Sequence, residues 1–195
     1  MKQLLLALLL FASVLSYAQF IKGDKFIGGT FSITSRVSTG STSSNFSINP
    51  SVGYLVSEKV AVGVQLGYSY LESKNDNLTF DYKSSAFSVG LLARRYFSIS
   101  DKCLFSINGL VNFQRGTETN SPNSIETKTQ NYQLGVSIQP GFIFFPSPKW
   151  GLEARIGSLG YNYSKNLSTD YDQSSFNLSY GSLTLGVSYY LRKSK

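Results

Sequence analysis

The chain has 195 residues, of which 15% are charged and 14% aromatic, and it contains no histidine and a single cysteine. Soluble domains carry about 25% charged residues, so a chain this poor in charge is expected to hide much of its outside from water. The composition also excludes an intramolecular disulfide framework and a His or Cys metal centre, and it removes the commonest general base.

The N-terminus has the pattern of a secretory signal peptide. Lys2 supplies a positive charge, Leu4 to Leu15 form an almost wholly apolar run, and small residues lead to a cleavage site after Ala18. The run is shorter than the roughly 20 residues that a membrane-spanning helix needs. We therefore expect residues 1–18 to be removed and residues 19–195 to be exported as one domain. The alternative is a buried N-terminal helix.

The rest of the chain alternates apolar and polar residues in segments that are separated by turn residues, and no segment has the apolar stripe of a helix. We predict eight strands, over Lys25–Arg36, Asn45–Val56, Val60–Glu72, Lys83–Phe97, Lys102–Arg115, Gln130–Phe145, Trp150–Tyr163 and Ser175–Leu191. Short links alternate with longer polar links, which are Val37–Ser44, Ser73–Tyr82, Gly116–Thr129 and Ser164–Ser174. Short and long links therefore lie at opposite ends of an up-and-down sheet.

The two faces of the strands differ in a way that distinguishes a membrane barrel from a soluble one. In the third strand Val62, Val64 and Leu66 share one face, whereas Gly63 and Gln65 share the other. Small uncharged polar residues suit the narrow bore of an eight-stranded barrel, and a continuous apolar face suits lipid. We predict an all-β, eight-stranded antiparallel up-and-down transmembrane β-barrel. A soluble ligand-binding barrel, the alternative, would have an apolar bore and a charged exterior.

Two local features refine this prediction. Pro140, which has no N–H, and Gly181-Ser182, where the alternation changes parity, each predict a bulge. Outward-facing aromatic residues are predicted in two girdles at the membrane interfaces. The girdle at the short-turn end contains Tyr54, Phe97, Phe144, Trp150 and Tyr189, and that at the long-loop end contains Phe46, Tyr68, Tyr70, Phe113 and Tyr132.

Net charge does not point to a nucleic-acid partner, although it is +7. The basic residues are scattered over turn ends, without a stacking platform or a helix that could enter a groove. They concentrate near the short-turn end, where they can meet anionic lipid headgroups.

Several strand motifs resemble those of small outer-membrane β-barrel proteins, the superfamily that includes the barrels of outer membrane protein A and outer membrane protein X. They are Val52–Val56, Val60–Gly63, Leu66–Tyr68, Arg94–Phe97, Pro140–Phe142, Leu152–Ala154, Gly157–Tyr161 and Gly186–Tyr190. The resemblance extends over essentially the whole mature chain. It implies an outer-membrane barrel that the barrel-assembly machinery inserts from the periplasm, with both termini periplasmic.

Three charged residues fall on the small-residue face of the predicted strands. Arg94 lies in the fourth strand, and Glu153 and Arg155 lie two apart in the seventh. Arg94 precedes Ser98 by as many residues as Glu153 follows Lys149, so the two side chains sit at similar depth across a narrow bore. We expect the three residues to form a lumen ion-pair network. It could be a structural plug, or a gate that opens when the pair breaks.

Three classes of function remain open: a structural or surface-interaction barrel, a narrow pore for ions or small solutes, and a soluble ligand-binding barrel. Enzymatic activity and cofactors are not expected, because membrane-embedded barrel enzymes generally depend on a histidine. Asp170 to Asp172 and Asn75 to Asn77 hold potential Ca²⁺ ligands but are ordinary turn formers, so we assign no metal site. The expected partners are outer-membrane lipids, the assembly machinery and an unidentified surface ligand of the long loops, chiefly Gly116–Thr129.

Overall fold

The computed structural model describes residues 20–75, 80–122 and 126–192, in which eight antiparallel strands follow chain order around a closed barrel. The strands are β1 (Lys25–Ser38), β2 (Ser41–Ser57), β3 (Val60–Asn75), β4 (Phe80–Ser100), β5 (Cys103–Pro122), β6 (Thr127–Phe144), β7 (Trp150–Asn166) and β8 (Asp172–Leu191). The predicted all-β, up-and-down barrel is confirmed. Over the described ranges no helix is long and apolar enough to cross a membrane. The predicted signal peptide lies outside these ranges.

The strands are longer than predicted, and this changes the reading of the polar links. The segment Gly116–Thr129 was expected to be a loop, yet β5 continues to Pro122 and β6 begins at Thr127, with Glu118 paired to Thr129. The link Val37–Ser44 is likewise reduced to a turn at Thr39 and Gly40. Extending the ladder pairs backbone groups that a loop would leave to water, and Ser and Thr tolerate either state. The barrel therefore ends in paired hairpins.

The start of β1 and the end of β8 share one end of the barrel, since Lys25 in β1 pairs with Leu191 in β8. We call this the terminal end and the opposite one the hairpin end. A strand needs about 9–11 residues to cross the bilayer, whereas β4 has 21. About ten residues of β4 therefore lie beyond the membrane, which projects the hairpins on the order of 20 Å from it at ordinary strand rise and tilt.

Large apolar side chains cover the outside of the barrel, as the alternation predicts. Val64, Leu66, Leu91 and Val136 are each more than 40% exposed although they lie in central strands. The aromatic girdles accompany this surface: Trp150 and Tyr54 are about half exposed, and the ring of Trp150 lies 5.0 Å from that of Tyr189. An exterior of this kind is stable against lipid and not against water.

Both predicted irregularities are present. Pairing of β6 with β7 shifts between Ile138 and Gly141, which places Pro140 where a missing N–H is tolerated. Pairing of β7 with β8 shifts between Ile156 and Ser158, where residues 180–182 of β8 lie opposite Gly157. Gly157 has a φ of +68°, a conformation that glycine adopts at little cost. The parity change predicted at Gly181-Ser182 follows from this bulge.

The bore is not polar throughout, in contrast to the expectation from the alternation. At the terminal end an apolar cluster fills it, made of Phe20, Phe26, Leu55, Ala61, Leu92, Tyr96, Leu104, Ile143, Phe145 and Tyr190. The Phe20 ring, from the segment before β1, stacks on that of Tyr190 at 4.9 Å. Where two aromatic residues are adjacent in a strand, period-two geometry turns one outward and the other inward. The inward-facing aromatic residues, Tyr96, Phe145 and Tyr190, then exclude water from the terminal end of the bore.

Candidate functional site in the barrel lumen

The structure brings Arg94, Glu153 and Arg155 together on the lumen side, directly above the apolar cluster. Arg94 extends from β4, where it lies between Ala61 of β3 and Asn108 of β5. Glu153 and Arg155 extend from β7 on the far side of the bore. Since β4 and β7 are not neighbours in the sheet, only inward-pointing side chains can join them.

The Arg94 guanidinium forms a bidentate ion pair with the carboxylate of Glu153. Arg94 Nη1 donates to Glu153 Oε1 at 2.7 Å, and Nη2 donates to Oε2 at 3.0 Å. Both side chains are at most 4% exposed. Bidentate charge-assisted bonds of this kind are among the strongest that side chains form. The Arg94 guanidinium also lies 5.4 Å from the ring centroid of Phe26, which adds a cation–π contact below it.

Arg155 is the second cation at the same carboxylate. Its Nη2 donates to Glu153 Oε2 at 3.1 Å, and its Nη1 donates to Gln139 Oε1 at 3.5 Å, while its buried Nε has no hydrogen-bond partner in the part of the chain that the structure describes. One carboxylate therefore faces two guanidinium groups. The network carries a net charge of +1, and the surplus is on the side of Arg155, which holds the weaker contacts.

Two neutral residues complete the network and were not singled out from the sequence. Ser188 of β8 donates its hydroxyl to Glu153 Oε1, and Asn108 of β5 accepts from Arg94 Nε. Asn108 Nδ2 donates in turn to the Gln139 carbonyl at 3.2 Å. Their lumen-facing parity was the available signal, but many other Ser and Asn residues share it.

The network separates two different parts of the bore. Beside Arg94 and Asn108 the remaining space is about 10 Å³, which is room for about one water. On the hairpin side the bore opens into a cavity of about 340 Å³. Among the described residues, its wall consists of Ser, Thr, Asn and Gln side chains together with Gly90 and Leu110, and Arg155 is the one charged residue on it.

The carboxylates considered for Ca²⁺ have other partners in the structure. Asp170 Oδ1 lies 2.5 Å from Lys165 Nζ, and the neighbouring ammonium holds the pKa of Asp170 below its usual range. Asp172 accepts from the Tyr163 hydroxyl at 3.3 Å. In the second candidate segment, Asp76 and Asn77 lie outside the described residues. Among the described residues no group of three or more His, Cys, Asp or Glu side chains could hold a metal ion.

Comparison with known proteins agrees with this architecture. The attachment invasion locus protein Ail of Yersinia pestis superimposes with a TM-score of 0.51 at 16% identity, covering 88% of this chain and all of Ail. OprG of Pseudomonas aeruginosa superimposes with a TM-score of 0.51 at 12% identity, covering 90% of this chain and 99% of OprG. The sequence matches no curated protein. The family model of the outer membrane protein β-barrel domain matches residues 4–190, so the chain belongs to this family of outer-membrane barrels.

Proposed function

We propose that the protein is a closed, non-enzymatic barrel that acts at the cell surface through its projecting hairpins, with both termini in the periplasm. The observation that carries the proposal is the double seal of the bore. A solute would have to pass the apolar cluster around Phe20 and Tyr190 and then the layer of Arg94 and Glu153. The soluble-barrel alternative is excluded by the family.

The first barrier is apolar and tightly packed. Phe20 contacts three inward-facing aromatic rings, those of Tyr96, Phe145 and Tyr190, at centroid distances between 4.8 and 5.8 Å. An ion entering such a layer loses its hydration and meets mainly aromatic rings, because the buried hydroxyls of Tyr96 and Tyr190 lie 3.5 Å from each other, and this loss costs several kcal/mol or more. This favours a closed bore over the narrow-pore alternative.

The second barrier is the ion-pair network, to which we assign a structural role. Breaking it would leave Arg94 and Glu153 uncompensated at a depth that water hardly reaches, and separating a buried pair costs roughly 3–5 kcal/mol. Glu153 accepts from both arginines and from Ser188, so its oxygens are not available to a substrate. These contacts support a brace over a gate, and they argue against catalysis.

The hairpins are the part of the molecule suited to contacts with other molecules. They carry charges of both signs: Glu72 Oε1 lies 3.3 Å from Lys74 Nζ and 3.8 Å from Lys83 Nζ. The side chain of Lys128 is 67% exposed. Ail, by its name, serves attachment, but at 16% identity that likeness is one of fold. We propose a surface ligand of these hairpins, with lipids and the assembly machinery as the other partners.

Planar-bilayer recording on the refolded mature chain tests the closed bore. The wild type should not raise conductance above the bare bilayer. Glu153→Gln keeps the apolar cluster and should stay silent, and Phe20→Ala combined with Tyr190→Ala keeps the ion-pair layer and should also stay silent. Combining all three substitutions weakens both barriers and should admit ions. Discrete openings of the wild type, abolished when the lumen charges are removed, would overturn the proposal in favour of a pore.

A further inference from the structure

The closure of the barrel between β1 and β8 is incomplete. Pairing runs from Lys25 with Leu191 to Phe31 with Leu185 and goes no further, although β1 continues to Ser38 and β8 begins at Asp172. By comparison, β1 pairs with β2 along its whole length. The bulge opposite Gly157, at residues 180–182 of β8, lies a few residues beyond the point where the pairing stops. We call the gap above Phe31 and Leu185 the seam.

Side-chain exposure shows that the strands separate at the seam. Thr34 of β1 and Asn177 of β8 have the parity of lumen residues yet are exposed, whereas lumen residues of the central strands, such as Ser69, are at least partly covered. The outward-facing Ile33 and Leu178 are 71% and 74% exposed. Both faces of each strand are therefore accessible here.

The seam begins within the apolar belt of the barrel. Tyr189, a girdle residue of the terminal end, pairs with Ile27, and the last pair, Phe31 with Leu185, lies four residues further along β1. At ordinary strand rise and tilt this is about 10 Å above the girdle, in a belt that is about 25 Å tall. The gap therefore faces lipid acyl chains, and apolar Ile33 and Leu183 flank it.

The polar cavity lies directly behind the seam. Its wall includes Ser32, the first residue of β1 beyond the pairing, and Thr184, the corresponding residue of β8. Thr184 is also the register partner of Arg155 in β7. The surplus cation of the lumen is thus one strand away from an opening toward lipid.

We propose that the cavity binds the head of a single-chain anionic amphiphile, with a carboxylate or phosphate head at Arg155 and an acyl tail that leaves through the seam. The net charge of +1 in the network supplies the attraction, and the Ser, Thr, Asn and Gln side chains supply further hydrogen bonds. A volume of about 340 Å³ accepts such a head group but not a whole diacyl lipid. Ile33 and Leu183 would contact the tail.

Quenching of a single tryptophan by 9,10-dibromo-octadecanoate tests the proposal in phosphatidylcholine nanodiscs. The background is Trp150→Phe, which removes the native tryptophan. Leu183→Trp reports on the seam, and Leu66→Trp is the matched lipid-facing control, because Leu183 and Leu66 are 63% and 57% exposed. We expect saturable quenching at position 183 and only linear, partition-like quenching at position 66. The uncharged methyl ester should give linear quenching at both.

Two substitutions test the head-group site in different ways. Arg155→Gln removes the cation and leaves the Arg94–Glu153 pair, while Gln139→Glu keeps the arginine and supplies a fixed counter-ion 3.5 Å from its Nη1. Each should raise the half-saturating concentration about tenfold or more, as expected for loss of a charge-assisted bond. Arg115→Gln removes an exposed cation outside the cavity and should change nothing.

The competitors identify the head group. Displacement by octadecyl phosphate as well as by octadecanoate would support a general anion site, and displacement by octadecanoate alone would support a carboxylate site. Equal, non-saturable quenching at positions 183 and 66, or saturation unaffected by both Arg155→Gln and Gln139→Glu, would overturn the proposal. Heat-shifted gel mobility establishes that each variant is folded, and the conductance test of the closed bore is independent of all these outcomes.

Discussion

The carboxylate of Glu153 is the shared acceptor of the lumen network. Arg94 binds both carboxylate oxygens, and Arg155 and Ser188 each bind one of them. Removing a buried partner leaves the other charge without compensation, which costs far more than the pair contributes in net stability. We therefore expect the lumen to be sensitive to removal of this carboxylate.

We predict that Glu153→Ala lowers the free energy of unfolding by roughly 3–5 kcal/mol, because it leaves both guanidinium groups buried without a counter-ion. Urea unfolding in detergent, followed by loss of the folded gel band, measures the change. Glu72→Ala is the matched control: Glu72 also has two cationic neighbours but is 28% exposed, and its removal should have a small effect.

A double-mutant cycle then separates the two arginines. Coupling of Glu153 with Arg94 should exceed its coupling with Arg155, since Arg94 makes two bonds to the carboxylate and Arg155 makes one. Coupling near zero for both arginines would contradict an energetic role of the network.

The three charged residues were accessible to sequence analysis because charge is rare in these strands. Parity placed Arg94, Glu153 and Arg155 on one face, and distance from the turns placed Arg94 and Glu153 at similar depth. Ser188 and Asn108 could not be chosen among the many small polar residues of the bore. That Tyr190 points into the bore could have been inferred, because its neighbour Tyr189 was placed on the outer face and successive side chains of a strand alternate, but the inference was not made.

At the scale of elements, the sequence located all eight strands correctly but predicted ends that are too early for most of them. Their membrane-spanning parts alternate apolar with small residues, and that pattern determines register and face. Beyond the membrane both faces meet water, so the alternation disappears although the ladder continues. Segments such as Gly116–Thr129 then have loop composition, and their pairing depends on the partner strand, which composition does not reveal.

The bulge at Gly157 gives a prediction at this scale. A Cβ at residue 157 would collide with the Ser179 carbonyl oxygen, and its φ of +68° disfavours any side chain, so Gly157→Ala should destabilise the barrel by about 1–2 kcal/mol. Gly109→Ala is the control, since the nearest atom to its Cβ would be 3.7 Å away. Urea unfolding compares the two, and equal midpoints would refute the strain at Gly157.

The extended hairpin of β5 and β6 gives a second prediction at the scale of elements. Trypsin added to intact cells should cut at Lys128, which is exposed close to the turn, before Arg115, which is paired in mid-ladder with Tyr132. Lys59 and Lys102, in the turns at the terminal end, should be cut only after permeabilisation. Mass spectrometry of the fragments gives the order in which the sites are cut. Early cleavage at Lys59 or Lys102 in intact cells would contradict the proposed topology and indicate the inverted one.

Considered as a whole, the molecule is asymmetric along its axis. The terminal end is closed by aromatic packing and an ion-pair layer, and the hairpin end keeps a polar cavity behind a seam between β1 and β8. In the function that we propose, such an arrangement blocks passage through the membrane while leaving the lumen accessible from the side.

The apolar exterior and the circular pairing together predict how the whole molecule behaves on fractionation. Side chains such as Leu66, Leu91 and Phe87, between 57% and 68% exposed, form a surface far larger than soluble monomers tolerate, so the protein should be recovered in the outer-membrane fraction. Each strand pairs on both sides over at least part of its length, so detergent alone should not unravel the ring at room temperature. Boiled and unboiled samples should therefore migrate differently on a denaturing gel, and Glu153→Ala should lower the temperature at which the folded band disappears. Recovery in the soluble periplasmic fraction, with one mobility before and after boiling, would contradict a membrane-inserted barrel.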